Sequence, residues 1–172
     1  MSEEKRAFSR VPVRLKGFAR KMRSIDSSPV YIGEAVAKSF DPDAIFRNSK
    51  LPEEVTLFLA ELNRKLDSVL GMLSQTNLRS DFPIDIEIVE LSGAGLKFRT
   101  AEALPAETPL EVVFILSQVP LKMASSKGRI IGDREAPDLY RFEFVDTRGS
   151  DNEAIVQFVF RQQREHIRNS KL

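Results

Sequence analysis

Six apolar residues, Val55, Leu59, Leu62, Leu66, Val69 and Leu73, follow one another at intervals of 4, 3, 4, 3 and 4. That spacing is the a/d signature of a coiled-coil seam. Pro52 sits where a helix can begin, and Glu53 and Glu54 suit the positive end of a helix dipole. Thr76, Asn77 and the Ser80-Asp81 pair mark an end, so the pattern predicts a heptad helix over about residues 52–75. Roughly 24 residues at 1.5 Å each make a rod about 36 Å long. Phe58 and Leu70 widen the stripe, which leaves open that the helix lies on its own domain; the a/d regularity favours self-association through Val55, Leu59, Leu62, Leu66, Val69 and Leu73.

On either side of this segment the period is two. Val11 to Ala19 alternates and reads as a strand, with Pro12 acceptable at its start. Ser24 to Pro29 has loop composition, and Glu34 to Phe40 is a candidate short helix before the turn at Asp41-Pro42-Asp43. Beyond residue 82, Ile84–Ile88, Leu96–Phe98, Leu110–Leu116, Gly128–Ile131 and Tyr140–Phe144 are candidate strands separated by turn residues. Asp151-Asn152-Glu153 then signals a helix start, with Ile155, Phe158 and Val159 on one face and Arg161, Arg164 and Arg168 toward the C-terminal end. The expected fold is mainly β: a small antiparallel barrel with an inserted heptad helix and a C-terminal helix, α+β overall. Residues 1–23 would form a basic arm and the first strand, 24–80 the helical insertion, and 82–172 the rest of the same domain.

The function classes narrow quickly. The 172 residues contain no cysteine, which excludes a thiol nucleophile, a cysteine zinc site and a disulfide scaffold. The charged start has no apolar run behind it, and the longest apolar run, Val112 to Leu116, is far too short to span a bilayer, so a cytoplasmic protein without membrane insertion is expected. One histidine, His166, lies near the C-terminal end; no GxxxxGK[ST] loop occurs, and no acidic run has calcium-loop spacing. Gly93-Ala94-Gly95 is too short for a dinucleotide fingerprint. No catalytic residue, metal site or cofactor is expected, and the chain reads as a binding protein rather than an enzyme.

The net charge of +1 hides an asymmetry. Lys5, Arg6, Arg10, Arg14, Lys16, Arg20, Lys21 and Arg23 face only Glu3 and Glu4 within residues 1–25, and the remainder carries 18 basic and 23 acidic groups. A basic arm on an acidic body points to a locally held anion. Arg6 and Arg10 lie four apart on this arm, and each offers a planar fork to phosphate and a face to a purine. From the spacing alone, a solvated basic tail is the simpler account. In Glu90-Leu91-Ser92-Gly93-Ala94-Gly95-Leu96-Lys97-Phe98, a carboxylate could accept two N–H bonds from a guanine edge. Ser92 could donate or accept, and Gly95 permits close backbone approach or positive φ. A plain glycine hairpin bearing a solvated acid is the simpler account of that segment alone.

Taken together, these residues resemble the PilZ family, whose members bind the bacterial second messenger cyclic di-GMP. The family pattern is an RxxxR arm followed by an Asp/Asn-x-Ser-x-x-Gly motif on an antiparallel barrel. Arg6 and Arg10 match the first; Ser92 and Gly95 match the second, with Glu90 in the Asp/Asn position. Tyr140–Asp146 and Ala154–Glu165 are similar to the family's last strand and C-terminal helix. The resemblance covers residues 3–20 and 82–166. The 80 positions between Arg10 and Glu90 exceed the usual spacing, and Leu51 to Leu73 resembles the atypical PilZ proteins that oligomerise through a long heptad helix. Some of those lack the arginine arm and do not bind the nucleotide.

The resemblance implies a non-enzymatic receptor signalling to a protein partner, with an output in motility, pili, exopolysaccharide or virulence. Arg6 and Arg10 would hold phosphates and a guanine face, and Glu90, Ser92 and the Gly95 backbone would read a guanine edge. Lys5 is a basic residue directly before Arg6, as in family members that often take an intercalated pair of ligands, so the resemblance leaves one or two ligands per protomer open. Two other readings stand beside it. One is an oligomeric adaptor that has lost nucleotide binding, as the longer Glu90 side chain suggests. The other is a nucleic-acid binder using the arm, against which the acidic body argues.

Overall fold

Strict alternation sends every second side chain of a strand to one face, and six segments of the chain use this to enclose a single core. The computed structural model describes residues 9–31, 47, 49–118 and 121–171. Its strands are β1 (Arg10–Lys21), β2 (Ile84–Ser92), β3 (Gly95–Arg99), β4 (Pro109–Gln118), β5 (Leu121–Ala136) and β6 (Leu139–Asp146). They form a closed antiparallel barrel in the order β1-β2-β3-β6-β5-β4. Closure removes the unpaired edges an open sheet would expose. Helix α1 (Glu53–Asp81) is inserted between β1 and β2, and helix α2 (Gly149–Ser170) follows β6. The expected mainly-β barrel with a helical insertion and a C-terminal helix is the fold observed. The candidate helix at Glu34–Phe40 lies outside the described residues.

The inward residues are those the alternation selects. Ile84, Ile86 and Ile88 are buried while Asp85 and Glu87 face out. Leu110, Val112 and Phe114 on β4 meet Phe98, Tyr140 and Phe142 in the same core. Phe98 and Tyr140 stack with centroids 5.6 Å apart. The Tyr140 hydroxyl donates to the Glu102 carbonyl and accepts the Leu104 N–H, each at 3.0 Å, so the buried phenol costs no unpaired polar atom. Helix α2 seats Ile155 and Val159 on this core.

A second cluster forms on the outer face of the barrel. Phe18 and Val113 point away from the main core and are covered by Leu78 and Phe82 at the C-terminal end of α1, with Tyr31 and Met123 packed beside them. This contact carries α1 on to Asp81, past the end that Thr76, Asn77 and Ser80 signal in the sequence. Apolar packing of Leu78 outweighs those residues' weak helix propensity.

The outer face also holds polar pins that hydropathy does not reveal. Glu111, 1% exposed within β4, takes an ion pair from Arg20 at 2.6 Å and accepts the N–H groups of Val30 (2.9 Å) and Tyr31 (3.0 Å). Lys127 donates to the carbonyls of Ile25 and Ser27 and pairs with Asp146 at 3.2 Å. Segment 24–31 is thereby fastened across β4 and β5, which fixes the direction in which the chain leaves β1 for the insertion. The strand expected at Gly128–Ile131 is only part of β5, which begins at Leu121. Its first half escapes the alternation rule because Ser125, Ser126 and Lys127 are buried polar residues satisfied by Asp151, Thr147 and the segment 25–27.

Candidate ligand-binding site

The barrel ladder closes the long gap in sequence between the two motifs. Arg10 pairs directly with Ser92, and Pro12 with Glu90. Arg10 is therefore the first residue of β1 and not part of an arm preceding it, a correction of the sequence reading. Strand pairing to β2 is what draws it in, because the ladder runs to the last residue of β2. Lys5 and Arg6 lie outside the described residues.

Arg10, Glu90, Ser92 and Gly95 line one cavity of about 280 Å³, together with Lys97 on β3 and Arg141 and Glu143 on β6. The turn between β2 and β3 is closed by Ser92, whose hydroxyl donates to the Gly95 carbonyl and accepts the Ala94 N–H, both at 3.2 Å. Its hydroxyl hydrogen is thus engaged within the turn, and its remaining capacity is as an acceptor. Gly95 is required by proximity: a Cβ there would strike the Phe142 carbonyl oxygen of β6. Of the two uses of glycine that the sequence allows, the close approach of two backbones is the one observed.

The charges are interleaved. One Glu90 oxygen lies 3.9 Å from the Arg10 guanidinium and the other 3.9 Å from the Lys97 ammonium. Lys97 also donates to Glu135 at 2.9 Å. That hydrogen bond, with the charge of Lys97 behind it, holds the Glu135 carboxyl below its ordinary range. Lys97, Arg141, Glu143 and Glu135 are absent from the motif-based reading. Lys97 sits between Glu90 on one side and Arg141 on the other in the β2-β3-β6 ladder. Alternation marks these residues as outward-facing, but only strand register brings them to the motif. Among the described residues, no group of three or more His, Asp or Glu could hold a metal ion.

The heptad residues occupy a separate surface. Val55, Leu62, Leu66, Val69 and Leu73 are 40–57% exposed, Leu59 is half-buried, and Phe58, Leu70 and Met72 are exposed beside them. No residue of α1 before Gly71 is buried; the helix touches the barrel through Gly71 against Leu121 and through Leu78. Among the described residues, no helix is long and apolar enough to cross a membrane.

No protein-family model matches the chain, and no curated protein matches it significantly. A solved structure does. It is described as a pathogenic protein from Xanthomonas campestris that reveals "a new tetrameric PilZ domain self-assembled via a unusual helical bundle". The match has a TM-score of 0.59 at 16% sequence identity and covers 94% of this chain and 91% of that one. The chain has the fold of a PilZ domain: a six-stranded closed barrel with a long inserted helix and a C-terminal helix.

Proposed function

We propose that this protein is a non-enzymatic cytoplasmic receptor for cyclic di-GMP that assembles through α1 and passes the signal to a protein partner. The observation that carries the reading is the pairing of Arg10 with Ser92, which puts an arginine against the Ser92–Gly95 turn on the wall of one cavity. That cavity approaches the lower end of the range for small-molecule sites, about 300–1,000 Å³. Arg10 would meet a phosphate or stack on a guanine, while Glu90, the Ser92 oxygen and the Gly95 backbone would face a guanine edge. Arg6, four positions before Arg10 in sequence, would serve the same ligand, and Lys5 would serve a second.

Each charged hydrogen bond contributes about 1.5–3 kcal/mol. Arg10→Ala should therefore weaken binding about 10- to 150-fold. The test is a thermal-shift titration: cyclic di-GMP at about 100 times the dissociation constant stabilises a folded binder by about 2.7 kcal/mol. The wild type should show that shift and Arg10→Ala should lose about half to nine-tenths of it at the same ligand concentration. An equal shift in both would remove Arg10 from the site.

Assembly through Val55, Leu59, Leu62, Leu66, Val69 and Leu73 is supported by the exposure of five of them, with Leu59 half-buried, along one stripe at heptad spacing. The neighbour's description as a tetramer built on a helical bundle agrees with it. A second reading, an oligomeric adaptor without nucleotide binding, is favoured by one observation: Glu90 lies near both Arg10 and Lys97 and offsets their charge from within the site.

A further inference from the structure

Lys97 has no place in the motif, yet its position is central. It lines the cavity on β3, two residues after Gly95, with Glu90 and Arg141 as its neighbours on the flanking strands. Its side chain is 19% exposed, and its ammonium is held by Glu135 from the end of β5 at 2.9 Å. Among the described residues the cavity wall carries three cations, Arg10, Lys97 and Arg141, against the carboxylates of Glu90 and Glu143. Glu135, reaching Lys97 from outside that wall, cancels the remaining positive charge.

The Lys97–Glu135 pair differs from the Arg20–Glu111 pair in the way that matters for exchange. Glu111 and Arg20 are enclosed, with Glu111 bonded to two backbone N–H groups, and breaking such a pair strands a buried charge. Glu135 is half-exposed, and Lys97 is the hydrogen-bond partner of its carboxylate. A pair of that kind contributes little net stability, because water and counterions compete for both ends. A phosphodiester entering the cavity offers Lys97 an oxygen anion in a less exposed place, and the released Glu135 returns to solvent.

Resting on the receptor reading above, we propose that Lys97 is a further phosphate-binding cation of this site and that Glu135 is its resident competitor, occupying the ammonium until a phosphodiester displaces it. Glu135 is thus a positioning residue that sets affinity through Lys97, and the site is tuned for ligands carrying phosphodiester charge.

The experiment is a double-mutant cycle on the full chain, titrated calorimetrically with cyclic di-GMP, with folding checked by circular dichroism and melting temperature. Glu135→Gln should bind about threefold more tightly than wild type, and Glu135→Asp should return toward wild-type affinity. Lys97→Met should bind at least tenfold more weakly, Lys97→Arg should retain most of the affinity, and Lys97→Met with Glu135→Gln should be as weak as Lys97→Met alone. Tightening by Glu135→Gln that persists in the Lys97→Met background would overturn the proposal, since Glu135 would then act by general charge. If the wild type binds and Glu135→Gln is no tighter, the competitor is wrong while the receptor reading stands. Binding by Glu135→Gln alone would support the competitor in its strongest form, and binding by neither chain would end both.

Discussion

Leu110, Val112 and Phe114 on β4 are fully enclosed, whereas Leu62, Leu66 and Leu73 on α1, residues of the same chemical kind, are 43–57% exposed. The barrel finishes its own core: every strand has two neighbours, and α2 supplies Ile155 and Val159 from above. Helix α1 finishes only its last turns, where Leu78 and Phe82 meet Phe18 and Val113. Burying one Leu or Val side chain is worth about 1.5–3 kcal/mol, so a stripe with five of its six residues exposed is a large unused driving force. The difference teaches that the barrel completes its core within one chain, whereas the exposed face of α1 is left uncovered by it.

The largest expected effect tests the proposed assembly face of α1 without touching the barrel. Leu62→Asp with Leu66→Asp should reduce the particle to the mass of a single chain in light scattering, with the β-rich circular dichroism retained. An unchanged mass would mean that the stripe does not mediate assembly. The joint between the two regions comes next. Phe82→Ala, at a position 1% exposed, should cost about 3–5 kcal/mol in chemical denaturation; a loss under about 1 kcal/mol would show that the outer cluster does not anchor α1.

Glu111→Ala tests the polar fastening of segment 24–31. Removing one member of a buried, hydrogen-bonded pair costs about 3 kcal/mol or more, and amide exchange at Val30 and Tyr31, whose N–H groups Glu111 accepts, should accelerate. Unchanged protection there would contradict the pin. The smallest effect falls in the cavity. Glu90→Asp draws the carboxylate back by one C–C bond, about 1.5 Å, away from Arg10 and Lys97, and should tighten cyclic di-GMP binding a few-fold by calorimetry. An unchanged affinity would show that Glu90 neither reads the ligand nor restrains those cations.

Much of this architecture was legible because the informative patterns are local. Ile84-Asp85-Ile86-Glu87-Ile88 announces a half-buried strand by its own alternation, and the a/d spacing of α1 needs no knowledge of the rest of the chain. What stayed hidden depends on partners far away in sequence. The first half of β5 is polar, and Lys127 can be buried there only because the carbonyls of Ile25 and Ser27, about 100 positions earlier, receive it. Glu111 sits in a strand that hydropathy reads as apolar because Arg20 and two backbone N–H groups arrive from another segment.

The site divides in the same way. Arg10, Ser92 and Gly95 could be picked out by spacing, and the cavity contains all three. Placing Arg10 inside β1, and bringing Lys97, Arg141 and Glu135 to the same cavity or its rim, required the register of β1 on β2 and of β3 on β6. Register is set by the whole ladder and not by any short segment.

The most direct test of the receptor account is isothermal titration of the intact protein with cyclic di-GMP, with GMP as the control. The account predicts micromolar or tighter binding, specific to the dinucleotide, with one or two ligands per protomer. No heat and no thermal shift at high ligand concentration would contradict it, and would leave the exposed face of α1 as the main functional surface.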